Sequence, residues 1–308
     1  MKNGIITVGT RKSALALTQT NGVIAALKQT FPEYEFIVKP ISTAGDRVPE
    51  RSTLPEHQGI FVKEIEEALL NADIDMAVHS LKDMPCTMRP GLELGAVCAR
   101  ENPQDALLSR GHIRFYDLKA GARIGTSSIR RRAQILAARQ DIEVVPLRGN
   151  IDTRIRKLLS GEVDAIVIAA AGVLRLAQGG LITEYLPLDI LLPAPCQGAL
   201  AIEIRRNDPK LKLVVQTIDH APTRCAVTAE RSFLKGLGGG CSLPVGALAE
   251  VTGEALMLTA QVVSPDGKDK VQRSLKGLSH DAEALGEKLA LEMLDAPGGW
   301  IRAALKVL

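Results

Sequence analysis

Short aliphatic runs alternate with stretches of helical spacing, and this alternation constrains the chain more than any other feature. "IITVGT" (5–10), "YEFIVKPIS" (34–42), "DMAVHS" (75–80) and "LELGAVCA" (92–99) read as strands. Between the first two lies "SALALTQTNGVIAALKQT" (13–30), with Ser13 as a candidate N-cap. "GIFVKEIEEALLNAD" (59–73) places Phe61, Ile65, Ala68 and Leu69 at helical intervals. Strands that alternate with helices require a sheet covered by helices, parallel or mixed.

The pattern then restarts. "ARIGTSS" leads into "IRRRAQILAARQ", "EVVPLRGN" into "IDTRIRKLLSGE", and "DAIVIAAAG" follows as a buried strand running into a turn. Residues from about 100 to 198 therefore read as a second α/β lobe. "LPAPCQGALAIEIR" (192–205) returns as a strand with Pro and Gly ahead of it. A helix from Cys225 to Lys235 comes next. "VGALAEV", "ALMLTAQVVSPDG" and "KVQRSLKG" then read as an antiparallel meander, turning at Thr252 and Gly253 and at Asp266 and Gly267. "DAEALGEKLALEML" closes the chain as a helix.

Composition narrows the function classes. Hydrophobic residues make up 46% and charged residues 24%, the balance of a globular protein. Aromatics at 3% leave no stacking platform for single-stranded nucleic acid, and a net charge of +3 is too small for a general polyanion binder. The five cysteines, at 86, 98, 196, 225 and 241, lack C-x-x-C spacing and follow no export signal, so reduced thiols in a cytoplasmic protein are expected. The longest apolar run, "AIVIAAAGVL", is about half the length of a membrane span, so no membrane partner is expected. The five histidines are scattered without ligand spacing, so no metal is expected.

Cationic and hydroxyl side chains gather at strand ends. In "GTSSIRRR", Thr126, Ser127 and Ser128 stand at a helix start, followed by Arg130, Arg131 and Arg132. Free N–H groups and the positive dipole end suit an anion there, and a capped helix with a solvated basic face accounts for the same residues equally well. Helical spacing prevents the three arginines from pointing one way. "PLRGNIDTRIRK" places Arg148 at a strand end and Arg154 one helical turn later. Arg175 follows "AAAGVL", and Arg11 and Ser13 follow the first strand. Ligands of open α/β sheets sit outside the carboxyl ends of the strands, so a polyanionic small molecule is the expected ligand. "DMAVHSLKDMP" adds Ser80, Lys82 and Asp83 at another strand end, where a carboxylate among cations can act in acid–base work. Finally, "LKGLGGGCSLPVG" (234–246) leads three glycines up to Cys241, either a turn with a structural thiol or a loop that presents the thiol to something bulky.

In their order and spacing these motifs resemble the porphobilinogen deaminase family, from "GTRKSALAL" through "DMAVHSLKDMP", "GTSSIRRRAQ", "LRGNIDTR" and "QGALAIE" to "GGGCSLPVG". The resemblance implies a dipyrromethane cofactor joined by a thioether to Cys241. It implies an enzyme that extends this primer by four porphobilinogen units, releasing ammonia each time, and then hydrolyses off linear hydroxymethylbilane. Asp83 matches the family's essential carboxylate. Ser80, Lys82, Thr126, Ser127, Ser128, Arg130, Arg131, Arg148 and Gly172 match cofactor-binding positions, and Arg11, Ser13, Arg154, Arg175 and Gln197 match substrate-binding positions. The implied fold has two similar lobes resembling type II periplasmic binding proteins, with a smaller α/β domain built on a three-stranded antiparallel sheet. The implied divisions are 1–99 with 199–218, 100–198, and 219–308. A monomer that hands its product to the next enzyme of the pathway is the family expectation. Two positions depart from the pattern. Gln58 stands where many relatives carry a cation, and Cys196 where relatives usually carry Gly or another small residue. A two-lobed anion-binding module without catalysis and a hydrolase with a Cys241 nucleophile are the rival readings, and a covalent dipyrrole on Cys241 separates all three.

Overall fold

The computed structural model describes residues 4–44, 62–238, 244–296 and 299–302. The chain divides into two compact units, Met1–Glu101 with Ala199–Arg224, and Asn102–Gly198 with Cys225–Leu308.

The first unit is built on a five-stranded sheet. Its strands are β1 (Ile5–Arg11), β2 (Glu35–Ile41), β3 (Met76–Ser80), β4 (Leu92–Val97) and β10 (Leu200–Arg205), in the order β2-β1-β3-β10-β4. β1 runs parallel to β2 and β3, whereas β10 is antiparallel to both β3 and β4. Helices α1 (Ala14–Thr30), α2 (Lys63–Leu70) and α6 (Pro209–Gln216) cover it. Val23, Ile24 and Leu27 of α1 pack with Ile6, Val8, Met76, Val78, Ile202 and Ile204 on one face. Ile65 and Leu69 of α2 pack with Ile74, Ala77 and Leu92 on the other. Burial of both faces explains why the inner strands β3 and β10 are buried along nearly their whole length, whereas the edge strand β2 has no buried residue.

The second unit repeats the arrangement. β5 (Asp105–Ser109), β6 (Arg123–Gly125), β7 (Glu143–Val145), β8 (Ala165–Ala169) and β9 (Glu184–Tyr185) lie in the order β7-β6-β8-β5-β9. β6 is parallel to β7 and β8, and β5 is antiparallel to β8 and β9. Helices α3 (Ile129–Ala138), α4 (Ile151–Leu159) and α5 (Ala170–Arg175) follow the parallel strands. Successive residues of β5 and β8 face opposite sides: Leu107 and Val167 meet Ile124 and Ile135, while Ala106, Leu108, Ile166 and Ile168 meet Ile155 and Leu158. The turn expected after β8 is the short helix α5.

The same unit holds α7 (Ala221–Gly236), which begins at the boundary and starts four residues before the expected Cys225, and the meander β11 (Val245–Thr252), β12 (Ala255–Val263) and β13 (Lys270–Leu278). Both meander pairings are antiparallel, with the turns at the expected positions. Helix α8 (Ala282–Leu294) packs on this sheet. The fold is α/β throughout, with two sheets of equal topology and a small three-stranded antiparallel sheet. No helix of the described residues is long and apolar enough to cross a membrane.

Candidate active site

In the first unit the predicted residues meet at the carboxyl edge of the parallel strands. β1 ends at Arg11, and Ser13 caps α1 by accepting a hydrogen bond from the Ala16 N–H (3.3 Å). β3 ends at Ser80, and residues Leu81–Asp83 form one turn of 3-10 helix. The Leu81 N–H donates to the Ala199 carbonyl at 3.0 Å. Leu81 and Met84 are fully buried and pin the turn, while Lys82 and Asp83 between them stay half-buried. Arg11, Ser13, Gln19, His79, Ser80 and Asp83 line one pocket. The Gln19 amide and the Ser80 hydroxyl meet at 3.2 Å. Among the described residues the Asp83 carboxylate has no hydrogen-bond or ion-pair partner, so its oxygens are open to a ligand.

Behind this pocket, Nε2 of His79 lies 3.1 Å from Oε2 of Glu203, and both side chains are buried. Burial, reinforced by the Glu203 carboxylate, pushes the nearby Glu66 carboxyl above its ordinary range against the opposing pull of Arg89.

In the second unit the strand ends carry the arginine and hydroxyl cluster. After β6, the Thr126 hydroxyl accepts from the Ser128 N–H (3.2 Å), and Ser128 caps α3 by accepting from the Arg131 N–H (3.4 Å). Arg130 and Arg131 are 5% and 6% exposed and converge on Asp105, which is fully buried. Arg130 Nη1 donates to Asp105 Oδ2 at 2.7 Å, and Arg131 donates to Oδ1 through Nε (3.0 Å) and Nη2 (2.7 Å). Gln197 Nε2 adds a third donor to Oδ1 at 3.0 Å. Burial alone would raise the Asp105 carboxyl, but the two guanidiniums hold it well below the carboxylate range. Two buried guanidiniums against one carboxylate leave a net positive charge. At the start of α3, the Ser127 hydroxyl oxygen is buried and has no hydrogen-bond partner among the described residues. Arg132 diverges from its neighbours, is exposed and donates to the Val144 carbonyl (2.9 Å).

The other predicted residues of this unit occupy the same sheet edge. Arg148 follows β7, just before Gly149, whose φ is +113°. A β-carbon there would lie 2.6 Å from Thr153, so only glycine fits this turn. Arg154 Nε donates to the Gly149 carbonyl at 2.8 Å, and Arg175, at the end of α5, donates to the Gly198 carbonyl at 2.7 Å. Gly172 is buried within α5. Cys196 has φ +66°, a left-handed conformation that suits glycine, and its backbone N–H is held by Glu230. Cys241 and Gln58 lie outside the described residues.

The predicted residues thus form two sets, one on each unit. Asp105, Gln19 and Glu203 escape a reading of the sequence. Asp105 opens an apolar strand and reads locally as a boundary residue, and its partners lie 25 and 26 positions away. Among the described residues no group of His, Cys, Asp and Glu is placed to hold a metal ion.

Residues 6–213 match the family model described as porphobilinogen deaminase, dipyromethane cofactor binding domain. The chain belongs to the porphobilinogen deaminase family. Residues 224–295 match the C-terminal domain of the same family. Family members of similar sequence include the porphobilinogen deaminase of Desulforudis audaxviator, 47% identical over 98% of both chains. That of Thermus thermophilus is 46% identical over 98% of this chain and 99% of its own. That of Geobacillus kaustophilus is 49% identical over 92% of each. Among solved structures, the probable amino-acid ABC transporter extracellular-binding protein ytmK of Bacillus subtilis is 14% identical, with a TM-score of 0.43 over 70% of this chain and 89% of its own.

Proposed function

We propose that this chain joins four porphobilinogen units head to tail on a dipyrromethane primer carried by Cys241, releases ammonia at each addition, and frees linear hydroxymethylbilane by hydrolysis. One observation carries the reading. Asp83, in the turn that follows β3, presents a carboxylate without a partner among the described residues, in one pocket with Arg11 and Ser13.

The donor set suits pyrroles that each bear an acetate and a propionate. The net positive charge of the Arg130–Asp105–Arg131 cluster and the Ser127 hydroxyl, without a partner among the described residues, match an anionic group. The dipyrromethane, when bound, supplies the nucleophilic ring carbon to which the first unit is joined. The remaining roles fall to this chain. Arg11, Ser13, Arg154, Arg175 and Gln197 bind substrate, Arg11 and Ser13 from the pocket that Asp83 also lines. Ser80, Lys82, Thr126, Ser127, Ser128, Arg130, Arg131, Arg148 and Gly172 hold the primer.

Asp83 acts on charge. Loss of ammonia from the aminomethyl group breaks a C–N bond and leaves a cation delocalised toward the pyrrole nitrogen. A carboxylate beside that N–H stabilises charge as it develops. At about 4 Å and an effective dielectric near 20, such a contact is worth roughly 4 kcal/mol, or about a thousandfold in rate. The same carboxylate relays the proton with which the amine departs. The domains follow the divisions 1–99 with 199–218, 100–198 and 219–308. The protein works as a cytoplasmic monomer that hands its product to the next enzyme.

The test joins mass and rate. Wild-type chain exposed to porphobilinogen gains two pyrrole units by intact mass, and Cys241→Ser does not. Asp83→Asn gains the adduct but loses about a thousandfold in steady-state bilane production. Near-normal turnover in Asp83→Asn overturns its role, and a wild type that never gains the adduct overturns the assignment.

A further inference from the structure

A strap of backbone, residues 192–197, runs past the buried arginine cluster of the second unit and touches it twice. The Leu192 carbonyl accepts from Arg130 Nη1 at 2.7 Å, and Gln197 donates to Asp105 at 3.0 Å. The strap is held from three sides. Gln134, one helical turn after Arg130 on α3 and 1% exposed, clamps both polar groups of the Leu192 peptide: its Oε1 accepts from the Leu192 N–H (2.6 Å), and its Nε2 donates to the carbonyl (3.1 Å). From the meander, the Ala247 N–H of β11 donates to the Pro193 carbonyl at 2.9 Å. From α7, the buried Glu230 carboxylate accepts from the N–H groups of both Cys196 and Ala249, tying strap and β11 to one side chain. β11 approaches so closely that a β-carbon on Gly246 would stand 2.7 Å from the Leu192 oxygen and 3.0 Å from Gln134 Nε2.

We infer that Gln134 and Gly246 are positioning residues for Arg130: through the Leu192 peptide they fix the guanidinium that receives a carboxylate of the ligand. The inference rests on the carboxylate-binding role of Arg130 proposed above. Arg130 Nη1 is shared between Asp105 and Leu192, so the orientation of the whole planar fork follows from where that one carbonyl stands. A wedge or a lost clamp at Leu192 rotates the fork without removing its charge. Gly246 follows Cys241 by five residues, so the strand that leaves the expected anchoring thiol is the one that presses on this peptide.

The test is a double-mutant cycle on the full chain, read as the rate at which it gains the two-pyrrole adduct from porphobilinogen by intact mass. Gln134→Leu removes both clamp bonds at similar volume, and Gly246→Ala adds one methyl against the carbonyl. Each is expected to slow primer loading roughly tenfold, the scale of one misaligned charged hydrogen bond. In an Arg130→Lys background, which has lost the planar fork, neither change slows loading further. If both effects persist in full in that background, the positioning role is overturned, because a structural defect elsewhere adds independently. If Arg130→Lys alone leaves primer loading unchanged, the underlying carboxylate-binding role fails instead. Gly246→Ala completes the cycle should Gln134→Leu fail to fold.

Discussion

Asp105→Asn tests the electrostatic core of the second unit. The wild-type carboxylate is fully buried and receives hydrogen bonds from Arg130, Arg131 and Gln197, while the two guanidiniums are 5% and 6% exposed. An asparagine of the same size removes the charge, and its amide nitrogen, a donor, replaces one of the two accepting oxygens, so the bond from Arg130 at Oδ2 is lost as well. Two like charges then remain out of water with no counter-charge, a change that costs about 3–5 kcal/mol. For a unit of this size that lowers the thermal midpoint by about 10 °C. Thermal unfolding followed by circular dichroism between pH 5 and 8 measures it. The sign with pH is fixed. The carboxyl is held below its ordinary value of 3.8, so its contribution is fully present above that value and is lost only as pH falls through the depressed one. The deficit of Asp105→Asn is therefore constant from pH 8 to 5. A loss under about 1 kcal/mol, the scale of an exposed pair, or a deficit that fades between pH 7 and 5, would refute the buried, ionised cluster.

Two further outcomes follow from buried polar groups. Ser127→Ala removes a buried hydroxyl without a partner among the described residues, so the melting temperature stays within about 1 °C of wild type while loading of the two-pyrrole adduct, followed by intact mass, slows severalfold. A matching loss of stability would mean that the hydroxyl serves the fold instead. Glu66→Gln is more stable than wild type at pH 7, because burial and the Glu203 carboxylate disfavour the Glu66 charge. A raised carboxyl pKa costs stability as pH rises above 4.5, so the advantage shrinks as pH falls toward that value, and urea midpoints at pH 4.5 and 7 measure it. An advantage independent of pH would contradict this origin.

What could be read from the sequence was local. Ser13 and Ser128 cap their helices because a hydroxyl before a helical run carries its own geometry. The meander turns fall at Gly253 and Gly267, both with positive φ. Helix α5 escaped because six residues, "AAGVLR", give less than two turns of periodicity. Helix α6, which opens with Pro209 in its first turn, went unrecognised despite the helix-start signals of Asp208 and that proline. Strand β5 carries no alternation that marks it in the sequence, and nothing local marks Asp105, whose burial depends on arginines from another element. For the same reason the pairing of Glu203 with His79, 124 positions apart, has no signature along the chain. The site's cations were legible by type and spacing. Their counter-charge was not, because only the tertiary fold brings it to them.

The order of strands in the first sheet has a consequence for synthesis. β10 lies between β3 and β4, but the ribosome delivers it only after residues 98–199 have been made. Until then β3 and β4 have no partner between them, and Ile202 and Ile204 are missing from the apolar layer they complete. The second sheet draws every strand from one continuous stretch, β5 through β9, and closes before the first. Maturation of this chain thus runs against its direction of synthesis. The earliest residues to emerge wait longest with open edges, the state in which strands pair with the wrong neighbour. A chain that stalls before residue 200 leaves its second sheet complete and its first one open.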